Sequence, residues 1–136
     1  MERFLGRYST YIYAILRIVV GLLFAMHGTQ ILFGYPPWPA TMHAPPLDTF
    51  MMVGGIIELV TGVLVLIGLF ASFAAFIASG TMAVAYFMVH QPMAAWPASN
   101  MGDAAVLNCF IFLYIASRGS GVWSVDSMRG AGAGGI

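Results

Sequence analysis

The stretch Leu16–Gly34 reads LRIVVGLLFAMHGTQILFG. It is apolar enough to sit in lipid and close to the roughly 20 residues that one bilayer crossing requires. It also carries Arg17, His27 and Gln30. A charge at mid-bilayer costs at least roughly 2.5–3.5 kcal/mol, so such groups turn inward onto partners from other helices. The stretch therefore predicts one helix of a membrane bundle, not a lone anchor.

Composition points the same way. Hydrophobic residues make up 60% of the 136 and charged residues 7%, with a mean hydropathy of +0.89. A soluble domain carries about 25% charged residues, so this chain cannot cover itself with polar surface and reads as an integral membrane protein. Its formal net charge of zero leaves no basic footprint for nucleic acid. Cys109, the single cysteine, excludes an internal disulfide and a dithiol centre within the chain.

Working outward, four apolar segments emerge: Thr10–Phe33, Leu47–Leu69, Ser72–Val89 and Gly102–Ser117. The expected fold is all-α, a four-helix transmembrane bundle over residues 10–117. Residues 1–9 form a cytoplasmic N-terminus, and residues 118–136 a flexible cytoplasmic tail ending in GAGAGGI. The first segment is longer than a signal core and no small-x-small site follows it, so a retained helix is the better reading. GLFASFAA, Gly68–Ala75, must contain the turn between segments two and three, which forces an antiparallel hairpin. The loops Tyr35–Pro46 and Gln91–Met101 are longer, with helix-stopping prolines and a tryptophan each. Arg3, Arg7, Arg118 and Arg129 flank the bundle at its termini while those two loops hold no Lys or Arg. Both termini are thus expected in the cytoplasm, in a multi-pass protein of the bacterial cytoplasmic (inner) membrane.

The polar residues within the apolar segments are Arg17, His27 and Gln30 on helix one, Glu58 on helix two, His90 at the end of helix three and Asp103 at the start of helix four. At about 1.5 Å per residue, Arg17 lies roughly 10 Å and His27 roughly 25 Å from the cytoplasmic end, with Glu58 between them at roughly 17 Å. An Arg17–Glu58 ion pair is feasible, and His27 is the other candidate partner. Gly54, Glu58 and Gly62 follow i, i+4, i+8 on one stripe, where small residues permit close helix approach. Gly21 and Gly28 join Arg17 on the matching side of helix one.

Two readings stand side by side: a structural ion pair that fixes helix register, or an outward-opening polar pocket that handles protons or a small redox molecule such as a quinone. Haem between His27 and His90 is a weaker third, because His90 sits at a helix end beside Gln91 and Pro92. His43 reads as a solvated loop residue, Cys109 as packing, and Asn108 as an interhelical hydrogen-bonding group. No metal or nucleotide motif is evident.

The blocks RIVVGLLFAMHGTQILFG, GGIIELVTGVLVLIGLF, AAFIASGTMAVAYFM and AAVLNCFIFLYIASRGSGVWSVD resemble the DoxX family of bacterial membrane proteins. The shared pattern is Arg-x3-Gly, His-Gly, Gly-Gly-x2-Glu-Leu and Arg-Gly-x-Gly-x-Trp-Ser, from Leu16 to Asp126. The resemblance implies a four-helix membrane bundle and a link to quinone-coupled or oxidative-stress redox complexes. It places Arg17, His27, Gly28, Gln30, Gly55, Glu58, Gly62 and Arg118 on family positions. Ile31, Thr81, Asp103, Asn108 and the Ala71–Ser72 turn depart from the family's more polar or longer residues. The implied role is a subunit of a redox-type membrane complex whose Arg/Glu/His cluster binds quinone or relays protons, with electrons supplied by a protein partner. The alternative is a noncatalytic accessory subunit, packed on a larger assembly or on further copies of itself.

Overall fold

The computed structural model describes residues 1–130. Among these the chain is all-helical, with no strand. Four long helices dominate: α1 (Ser9–Phe33), α2 (Thr49–Ile67), α3 (Ala71–Ala85) and α4 (Asp103–Arg118). Each apolar segment read from the sequence is thus a helix; the α-helical part of α3 stops at Ala85, four residues before the expected Val89, and the helical run that holds α1 starts at Glu2, ahead of the expected Thr10. Three spans are long and apolar enough to cross a membrane: Glu2–Phe33, Thr49–Ile67 and Ala71–His90. The 16 residues of α4 form a shorter and less apolar helix.

Local chemistry sets the boundaries. Gly34, at φ 68°, closes α1 in the left-handed conformation that favours glycine, and its N–H bonds the Gln30 carbonyl. Asp48 caps α2 by accepting from the Met51 N–H at 2.8 Å. Gly68, at φ 69°, ends α2, and with Leu69 and Phe70 it makes the whole connection to α3. The expected hairpin is there. α3 runs on through one π-helical turn, Tyr86–His90.

α1 packs along α2, α2 along α3, and α3 along α4. The α1–α2 seam is built from small residues at backbone-contact distance. A Cβ on Gly28 would fall 2.5 Å from the Leu59 nitrogen, one on Gly21 the same distance from the Leu66 nitrogen, and one on Gly62 the same from Ala25. The sequence stripe needs one correction. Gly54 has no atom within 4 Å of a Cβ, whereas Gly55 is buried against Ile31 and Leu32. The contact stripe is therefore Gly55–Glu58–Gly62, rotated one position from the Gly54 reading; spacings of three and four both fit a helix face, and only the partner helix decides between them.

The core is made where α3 meets the other helices, with Ala71, Ala74, Ala75 and Ala78 letting them close on Phe24, Phe112 and Ile115. Ser79 Oγ donates to the Cys109 carbonyl at 2.8 Å, tying α3 to α4. Cys109 is partly buried against this core.

The stretch after Arg118, expected as a flexible tail, does not hang free as far as Gly130. Gly119 and Gly121 take positive φ and reverse the chain. Ser124 then opens a short helix, Val125–Met128, by accepting from the Ser127 N–H at 3.1 Å. The segment lies across the α2–α3 turn, where the Asp126 N–H bonds the Gly68 carbonyl. The GAGAGGI end, expected to be flexible, lies outside the described residues apart from Gly130.

Candidate functional site

The sequence-selected polar residues separate into two places at opposite ends of the bundle. The first is around Arg17, which is fully buried. Its Nη1 donates to the Val65 and Leu66 carbonyls at 2.7 and 2.8 Å. Its Nη2 donates to the Trp123 carbonyl at 2.7 Å and, more weakly, to that of Val122 at 3.3 Å. The last carbonyls of a helix lack intrahelical donors and carry its negative dipole end, so a guanidinium there meets both needs. Arg17 does not pair with Glu58. Its fork is spent on four carbonyls, two from α2 and two from the returning C-terminal segment.

Asp126 completes this end. It is buried and accepts from the Phe70 N–H at 2.8 Å and from the Ser120 hydroxyl at 2.6 Å. Among the described residues, Arg17 Nε and Asp126 Oδ1 are both buried without a hydrogen-bond partner. The tyrosine Tyr13 caps the same end, donating to the Gly119 carbonyl and lying under the Arg118 guanidinium at 5.3 Å. Sequence reasoning missed Asp126 because a carboxylate nine residues past the last hydrophobic helix reads as a solvated tail.

The second place is a cavity of about 740 Å³ bounded by all four helices on the side of the two long loops. Its acidic wall is Glu58, whose Oε2 lies 2.6 Å from His27 Nδ1. The pair is unequal: the Glu58 side chain is 6% exposed and that of His27 51%. The carboxylate is held in the protein while the imidazole leans into the open space. His90 lines the cavity from the end of α3, with Nδ1 3.0 Å from the Asn100 carbonyl. Thr81 and Asn108 add polar atoms from α3 and α4. Most of the remaining lining is aliphatic or aromatic, and Phe24, which packs on Phe112 with ring centroids 4.6 Å apart, borders the cavity where α1 meets α4.

Two of the expected cluster members are not in this cavity. The Gln30 amide donates to the Pro36 carbonyl at 3.1 Å and pins the following loop. Asp103 is exposed at the first turn of α4, where a carboxylate complements the helix dipole; one step on, Ala104, Ala105 and Asn108 face the cavity instead. Among the described residues Asn108 makes no side-chain hydrogen bond to another helix, and it lines the cavity. His43 is exposed in the loop.

The family model for DoxX matches residues 12–91, which hold Arg17, His27, Glu58 and His90. The chain belongs to the DoxX family. An uncharacterized protein of Haemophilus influenzae is 36% identical over 126 residues, covering 90% of this chain and 94% of that protein. No solved structure matches. As a DoxX protein with three long apolar helices, the chain is a membrane protein whose outer faces meet lipid. In it, the family-like motif Arg118-Gly-Ser-Gly-Val-Trp-Ser124 is the reversal that carries two carbonyls to Arg17.

Proposed function

We propose that this DoxX protein is the membrane subunit of a redox-type complex and that its cavity binds a quinone-type ring. The observation that carries this reading is the His27–Glu58 pair, at 2.6 Å, set into the wall of an otherwise apolar cavity. The volume, about 740 Å³, lies within the roughly 300–1,000 Å³ of small-molecule sites, which are likewise apolar with a few fixed polar groups. A ring with polar oxygens and a hydrocarbon tail fits that lining. When bound, a quinone supplies a lipid-soluble carrier of electrons and protons. The chain's own part is to orient the ring and to handle a proton. Glu58 holds His27 by Nδ1, and Nε2 is the atom that takes or gives a proton at the cavity. With one cysteine the chain has no dithiol of its own, so the electrons are assigned to a protein partner.

The same reading places four crossings in the bacterial cytoplasmic membrane, with both termini in the cytoplasm. Its support is the basic residues Arg3, Arg7, Arg118 and Arg129 at one end of the bundle. At about 1.5 Å per residue α4 is roughly 24 Å long, and it packs along the membrane-length α3. A second reading, the accessory subunit, draws on Phe73, Phe76 and Phe110, which stand exposed on the α3–α4 face as a surface for another protein.

One experiment separates these. Purified full-length protein is titrated with a short-tailed benzoquinone, and its absorption spectrum is recorded. Binding that weakens about tenfold in Glu58→Gln, where a charge-assisted hydrogen bond becomes a neutral one, supports the cavity reading. A protein that binds neither the benzoquinone nor its diol, or that shows a haem absorption band, overturns it.

A further inference from the structure

The cavity's two histidines differ in what they offer a ligand, and their partners fix the difference. His90 Nδ1 faces the Asn100 carbonyl oxygen at 3.0 Å. A carbonyl only accepts, so Nδ1 carries the hydrogen of the neutral ring and Nε2 holds a lone pair. Nε2 is then the polar atom that His90 has left for the cavity it lines. Thr81 has the same bias. Its hydroxyl donates to the Ile77 carbonyl at 2.9 Å, which leaves only oxygen lone pairs. His27, held through Nδ1 by Glu58, presents an acceptor or a donor according to whether Nε2 is protonated, and the Asn108 amide has both. Among the described residues, the side chains on the α3 side of the cavity therefore offer acceptors and no donor.

A ring with two carbonyl oxygens that reaches from His27 to α3 sets lone pair against lone pair at His90. A ring with two hydroxyls gives a hydrogen to Nε2 there and keeps its other oxygen for His27. We propose that the cavity selects the diol form of its ring ligand over the quinone form, and that His90 is the residue that discriminates. This rests on the reading that the cavity takes a quinone-type ring.

The test uses the full chain in lipid nanodiscs, titrated under anaerobic conditions with three ligands of one ring and one short tail: the benzoquinone, its benzenediol and the dimethyl ether of that diol. The diol is expected to bind about tenfold more tightly than the quinone, because an acceptor left facing an acceptor forfeits its hydrogen bond. The ether, which has no hydrogen to give, is expected to bind no more tightly than the quinone. His90→Leu should lower diol affinity by about fivefold while quinone affinity stays within about twofold. Equal or tighter binding of the quinone overturns the selectivity and leaves the cavity reading intact. So does a diol preference that the ether shares or that survives His90→Leu. Failure of all three ligands to bind wild-type protein overturns the cavity reading itself.

Discussion

At the scale of single residues, Arg17 and Glu58 show how a membrane interior is satisfied without the obvious ion pair. Arg17 joins four backbone carbonyls from two segments, a task for a planar fork of donors. Lysine, a compact ammonium, cannot reproduce it. Arg17→Met is expected to destabilise the fold by roughly 2–4 kcal/mol, since carbonyls that lose a donor in an apolar setting keep their desolvation cost. Unfolding in detergent followed by near-ultraviolet circular dichroism checks this, and Arg17→Lys should recover less than half of the loss. Glu58 was legible in the sequence as a buried carboxylate with two candidate partners; the choice between them was not. Arg17 and His27 lie on either side of its level, and which of them reaches it depends on where the C-terminal segment puts its carbonyls.

At the scale of elements, the α1–α2 seam depends on glycine because backbone meets backbone. Gly28→Ala would drive a methyl group to 2.5 Å from the Leu59 nitrogen and should cost about 2–3 kcal/mol through forced separation of the helices. Gly54→Ala meets no atom within 4 Å and should leave stability unchanged or raise it by up to about 1 kcal/mol, because alanine is the better helix former. Comparing the two melting temperatures tests the rotated stripe, since equal losses would restore the Gly54 reading. The returning C-terminal segment is an element of its own. Asp126→Ala leaves the Phe70 N–H and the Ser120 hydroxyl without their acceptor and should cost about 2 kcal/mol. Trypsin should then cleave after Arg118 and Arg129 faster than in the wild type; unchanged cleavage would mean that Asp126 does not hold the segment.

At the scale of the whole molecule, the basic residues lie at one end and the cavity toward the other. In a Cys109→Ala background, His43→Cys and Ser99→Cys are expected to react with a membrane-impermeant maleimide added outside intact cells. Glu2→Cys should react only after permeabilisation. Labelling of Glu2→Cys in intact cells would reverse the proposed orientation. The two helix pairs, α1 with α2 and α3 with α4, are joined by a three-residue turn. Beyond the contact of Phe24 with Phe112, the space left between the pairs is the cavity.

The sequence by itself determined that the chain is a helical membrane protein, roughly where its long helices lie, and that Arg17 and Glu58 are buried in protein. Each follows from local rules: apolar length, glycine and proline at helix ends, and the cost of charge in lipid. Only the tertiary structure decided that Arg17 serves carbonyls while His27 takes Glu58, that Gly55 and not Gly54 touches α1, and that Asp126 is built in. Those outcomes turn on helix rotation and on a chain reversal more than a hundred residues from Arg17. Periodicity leaves rotation uncertain by one residue, and an angle of about 100° per residue is enough to exchange one partner for another.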